Sequence, residues 1–108
     1  LTDVERFQLM DEIVCEISFH NKLNLIIFDG ALFYIHTNYK NSLYIRQEMN
    51  TALFATVPLD HRLWLPVTFT TLLGYKDGRH VMTGTNHGHE YIDNPEDMQY
   101  MYIDYLEI

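Results

Sequence analysis

Cysteine, histidine and arginine are the first side chains to test for chemistry in this 108-residue chain, which has one cysteine and six histidines. A nucleophilic thiol needs exposure and a neighbour that stabilises the thiolate. Cys15 lies beside Val14 and near Ile17 in a stretch of helical periodicity, far from that helix's amino end and with no basic neighbour. It reads as inert and partly buried. The run His87-Gly88-His89-Glu90 is the most metal-like. In an extended segment His87 and His89 project to one side, and Glu90 joins through a bend. Zinc takes three or four ligands, and no second distant group accompanies these, so a polar loop is the competing reading. His36 closes a strand, where side chains often border clefts, and reads as a cleft residue or as a satisfied structural histidine. Arg46 and Arg62 suit a carboxylate ligand and equally suit salt bridges. Tyr100, Tyr102 and Tyr105 suit a core or an aromatic contact surface. Walker loop, dinucleotide fingerprint, paired CxxC and serine elbow are all missing from the sequence. The residues themselves assign no catalytic, cofactor-binding or metal position.

The elements that position these side chains follow from periodicity. Thr2-Asp3-Val4-Glu5 is a capping box. Val4, Phe7, Met10, Val14 and Ile17 recur at three- and four-residue spacing, with Leu9 and Ile13 widening the stripe. This predicts an amphipathic helix over 3–19, with Asn21 ending it. Residues 23–28 are apolar on both faces apart from Asn24 and predict an interior strand. Asp29-Gly30 predicts a two-residue hairpin into a strand over 31–37, followed by a polar turn over 38–41 and a short alternating strand around Leu43 and Ile45. Residues 52–57 form another β candidate, ended by Pro58. Residues 63–66 predict a buried apolar connector. Residues 67–73 and 79–83 predict a second hairpin, turning through Lys76-Asp77-Gly78. Asn94-Pro95 suits a helix start, with Met98, Met101, Tyr102 and Tyr105 as its inner stripe; a strand through 100–103 competes for residues 95–106.

The bulk numbers bound these readings. The length suits one domain, and 47% hydrophobic residues oppose disorder. No stretch reaches the 18 apolar residues of a spanning helix. A net charge of −8 opposes nonspecific binding to nucleic acid or anionic membrane. The single cysteine suggests a cytoplasmic address.

Three ordered pieces carry a resemblance: Asn24-Leu25-Ile26-Ile27-Phe28-Asp29-Gly30, Leu32-Phe33-Tyr34-Ile35-His36, and Ser42-Leu43-Tyr44. Ala55-Thr56-Val57-Pro58-Leu59-Asp60, Trp64-Leu65-Pro66-Val67, Thr70, Leu72 and Asp77-Gly78 continue it. Together, over residues 3–85, the chain resembles class II glutamine amidotransferases, most closely the stand-alone single-domain type. The resemblance implies two antiparallel sheets between helical layers. It also implies an amino-terminal cysteine nucleophile assisted by its own α-amino group, an oxyanion hole with an Asn-Gly element, and ammonia release from glutamine through a thioester.

The chain departs from that pattern where the chemistry lies. It begins with Leu1, Cys15 is internal, and no Asn-Gly pair occurs, so no catalytic residue carries over. The matching part is similar to the family's later half. The expectation is an α+β fold of antiparallel hairpins with a covering amphipathic helix, like the later half of an N-terminal-nucleophile αββα sandwich. Residues 1–108 are then a single domain or the carboxy-terminal part of a larger one, inactive alone. The expected partner is a missing amino-terminal half, or another chain, covering an apolar sheet face, with glutamine as ligand of the complete protein. Neither nucleic acid, membrane nor cofactor is expected. An independent binding or structural module is the alternative, and an unrelated small enzyme the third reading.

Overall fold

Helix α1 spans Asp3–Ile17 in a computed structural model that describes residues 1–93. Its capping box is formed: the Thr2 hydroxyl accepts the Glu5 N–H, and the Glu5 carboxylate accepts the Thr2 N–H, both at 3.1 Å. The helix stops earlier than residue 19. Ser18 donates its N–H and its hydroxyl to the Val14 carbonyl, at 3.0 and 2.6 Å. His20 then turns the chain at φ 62°. Asn21 contributes through its side chain, which donates to the Ile17 carbonyl at 2.8 Å.

Seven strands follow: β1 (Leu25–Phe28), β2 (Phe33–His36), β3 (Tyr44–Glu48), β4 (Thr51–Ala55), β5 (Leu65–Pro66), β6 (Thr71–Lys76) and β7 (Arg79–Asn86). They form two antiparallel sheets, ordered β1-β2-β6-β7 and β4-β3-β5. The described residues are therefore α+β. Successive strand side chains point to opposite faces, so the larger sheet serves two cores. On one face Tyr34 and Leu72 pack with Phe7 and Val14 of α1 and with Leu32. On the other, Ile35, Leu73 and Tyr75 meet Leu43 and Val67, backed by Ala52 and Phe54. The layer order is helix, four strands, three strands. No helix among the described residues is long and apolar enough to cross a membrane.

Three sequence expectations need correction. Among the described residues, 25–28 are not an interior strand, because β1 ends its sheet there and pairs with β2 alone. Ile26 and Phe28 point toward the three-stranded sheet, since they pair with Ile35 and Phe33. They remain 50% and 55% exposed because that sheet does not reach over them. The Asp29-Gly30 hairpin has a four-residue loop rather than two. Phe28 pairs with Phe33, and the Asp29 carboxylate accepts the Ala31 and Leu32 N–H groups at 2.8 Å. Residues 63–66 are not a buried connector: Leu65 and Pro66 pair with β3, and Leu63 is exposed.

The second hairpin holds, tightened to a two-residue turn. Lys76 pairs with Arg79, and Asp77 and Gly78 take φ 53° and 74°, the double positive φ of a type I′ connection. Thr70, also at positive φ, separates Val67 from the strand. The helix-or-strand question over 95–106, and with it Tyr100, Tyr102 and Tyr105, lies outside the described residues.

Gly30 and Gly78 both need positive φ, at 100° and 74°, but their surroundings differ. A Cβ on Gly30 meets nothing within 4 Å, whereas one on Gly78 would fall 1.9 Å from the Asn50 carbonyl oxygen. Urea unfolding should show Gly30→Ala costing about 1–2 kcal/mol, from backbone strain alone. Gly78→Ala should cost more, because the Asn50 backbone must also move. Equal midpoints for the two variants would contradict this.

Candidate functional site

His36, the last residue of β2, is fully buried. Its Nδ1 lies 2.7 Å from the Leu23 carbonyl oxygen. A carbonyl only accepts, so Nδ1 carries the hydrogen, and in the neutral ring that burial favours Nε2 is left with a lone pair. That lone pair faces His87 Nε2 at 2.9 Å, so His87 donates. The remaining nitrogen of His87, Nδ1, accepts the His89 N–H at 2.9 Å. Three residues drawn from two distant parts of the chain thus form one directed chain of hydrogen bonds, with both linked rings neutral. Burial pushes His36 down to about 4. Burial, then the neighbouring His89, also lowers His87. The His89 ring stacks on His87 with centroids 5.1 Å apart and meets the Phe19 ring edge-on at 5.2 Å.

The register of β7 makes this meeting possible. Thr71 pairs with Asn86 but Leu73 with Thr83, so β7 takes three steps where β6 takes two. Such a bulge re-aims the strand beyond it. Near the bulge, Asp11 of α1 accepts the Thr85 N–H at 3.1 Å and its hydroxyl at 2.9 Å, tying helix to strand.

Asn38 is the residue that sequence reading passed over as part of a polar turn. It is fully buried, and its carboxamide joins three segments. Oδ1 accepts the Leu23 N–H at 2.8 Å, while Nδ2 donates to the Asn21 and His89 carbonyls at 2.7 and 3.0 Å. Its own carbonyl accepts the Tyr91 N–H at 2.8 Å. Nothing local in the sequence marks it, since its partners lie 15 or more residues away.

The metal-like run is therefore brought to His36 and not to a ligand set. Glu90 turns away to Lys40, at 3.8 Å. Among the described residues no three His, Cys, Asp or Glu side chains are grouped to hold a metal ion. Arg46 pairs with Glu48 and with Asp60, the latter at 3.2 Å, and Arg62 reaches Glu48 at 3.7 Å. Both arginines thus serve salt bridges.

A second feature was not foreseen. Between the sheets lies a groove of about 330 Å³ whose lining includes Ile26, Phe33, Ile35, Ala52, Phe54 and Tyr75. Among the described residues β1 and β4 are end strands of their sheets, and both line it. Its walls are mostly apolar, and its described lining offers no acid, base or nucleophile pair for catalysis.

Cys15 is partly buried, with Sγ 3.9 Å from Asp11 Oδ1. Burial, reinforced by the Asp11 carboxylate, raises its thiol. Iodoacetamide at neutral pH should alkylate Cys15 at least about tenfold more slowly than a free cysteine peptide. Equal rates would show an activated thiol. The chain matches no known family model, no curated protein and no solved structure.

Proposed function

We propose that this chain is the carboxy-terminal, structural portion of a glutamine amidotransferase-like enzyme. It supplies one outer helix and parts of two facing sheets, while further polypeptide supplies the nucleophile and oxyanion donors. The observation that carries the reading is the layer order among the described residues, helix then four strands then three, with a groove between the two strands that end their sheets there. The ordered sequence pieces that resemble the family lie on this frame: β1, β2 and the loop joining them, the start of β3, and the β6–β7 hairpin. In the complete αββα sandwich a second helical layer would cover the outer face of the three-stranded sheet.

Added strands fit the open side on physical grounds. An end strand presents free N–H and C=O groups, and an incoming strand gains main-chain hydrogen bonds along it. Its alternate side chains would cover Ile26, Phe28 and Phe33, all at least 43% exposed. At about 25 cal/mol per Å², covering a few hundred Å² of apolar surface is worth several kcal/mol. That is comparable to the whole stability of a small domain. The chemistry assigned to the complete protein is glutamine hydrolysis. A cysteine thiol adds to the carboxamide carbon, ammonia leaves, and water cleaves the thioester to release glutamate.

The isolated chain should release no ammonia from glutamine above a no-protein control. The coding sequence immediately upstream should begin Met-Cys and supply an Asn-Gly pair. Joined to that segment, the protein should turn over glutamine, and the amides of 25–28 should gain protection from hydrogen exchange. Turnover by the isolated chain, lost on changing one of its own residues, would overturn the proposal. An upstream sequence without those elements would instead favour an independent binding module.

A further inference from the structure

The hydrogen-bond chain through His36 and His87 has no place for an extra proton. A proton added to His36 Nε2 sets two N–H groups against each other across 2.9 Å. If the His87 hydrogen moves to Nδ1 in response, it confronts the His89 N–H, also at 2.9 Å. A proton added to His87 Nδ1 creates that second conflict directly. Each way of protonating the pair therefore breaks a hydrogen bond, whichever ring takes the charge.

What these bonds hold is a short segment on the outside of both cores. Residues 87–91 are fastened by the His87 N–H to the Thr70 carbonyl at 3.1 Å and by the Tyr91 N–H to the Asn38 carbonyl at 2.8 Å. The Asn38 side chain also donates to the His89 carbonyl at 3.0 Å. None of these residues belongs to either hydrophobic cluster, so the segment can leave without opening a core. We propose that residues 87–91 form an acid-released latch: one proton taken up by the His36–His87 pair undoes it, freeing the segment from the 18–24 connection and the Asn38 turn. Release also separates the His89 ring from Phe19, against whose already exposed ring it rests edge-on.

The charges around the pair set the working range. From α1 the acidic group is Asp11, which favours a charged ring but has its oxygens engaged by Thr85. From the segment after β7, His87 opposes charge on His36, and His89 opposes it on His87. The 18–24 connection presents the Leu23 carbonyl, a partner for the Nδ1 hydrogen only. Burial dominates and lowers His36 from its ordinary 6.5 to about 4. The unfolded chain therefore binds this proton more readily than the folded one. The stabilisation is complete above pH 6.5 and is lost as pH falls toward 4.

The test is amide hydrogen exchange on the 108-residue chain at about pH 7.5 and about pH 4.8, corrected for intrinsic rates. It is paired with ¹⁵N assignment of histidine tautomers. At the higher pH His36 should be the Nδ1–H tautomer and His87 the Nε2–H tautomer. At the lower pH amides 87, 89 and 91 should lose protection by about tenfold or more, while 72–75 keep theirs. His87→Gln, which cannot titrate, should abolish this differential loss, and so should His36→Gln. His61→Gln, at an exposed position outside the cluster, should retain it. The reverse tautomers would overturn the latch even where a variant fails to fold. So would unchanged protection at pH 4.8, loss in step with 72–75, or differential loss that persists in His87→Gln.

Discussion

The pairing of β2 with β6 is the interaction on which the rest of the molecule depends. Strand alternation gives each of these two strands one row of side chains for the helix and another for the second sheet. Tyr34 and Leu72 serve the first core, Ile35 and Leu73 the second. Neither core can form without the register that aligns Ile35 with Leu73. A one-residue slip would send each apolar row to the wrong layer.

From that central pair the layers thin outward unequally. α1 packs against part of β7, with Asp11 tied to Thr85, whereas among the described residues β1 at the other end has little over it. Exposed edges of native sheets usually carry charge, proline or a bulge that discourages pairing with a stranger. Leu25, Ile26, Ile27 and Phe28 carry none of these. Among the described residues nothing pairs with the outer side of this strand, and the proposed function turns on it.

The local signals were legible and the distant ones were not. Thr2 with Glu5, and Asp77 with Gly78, are contained within a few residues, so their geometry follows from type and spacing. The Asp29 loop misled because the carboxylate binds two N–H groups beyond the glycine, a side-chain effect that the dipeptide does not display. Double-sided apolarity over residues 23–28 predicts cover on both faces, yet Ile26, Ile27 and Phe28 stay exposed among the described residues; nor does it show whether the strand has a neighbour on each side. His36 and His87 stand out singly, but 51 positions separate them, and two register shifts in the β6–β7 pairing help decide whether they touch. The arginines could be read only as ambiguous, because the loop that carries Asp60 and Arg62 back to Arg46 and Glu48 of β3 is not legible from spacing.

The tips of two hairpins, one from each sheet, are fastened together. Gln47 of β3 donates through its carboxamide to the Gly78 carbonyl at 2.8 Å, and the Arg79 guanidinium binds the Asn50 side-chain oxygen, with Nε at 3.1 Å. The Gly78 α-carbon sits so close to Asn50 that no side chain fits between them. Asn50 and Gly78 also line the groove, so this clasp shuts one end of it. The sheets behave there like the hinged end of a clip, held at a fixed spacing. On the proposed function, a polypeptide entering from the side would run against that fixed stop, so its resting place would be set by the clasp and not by its own length.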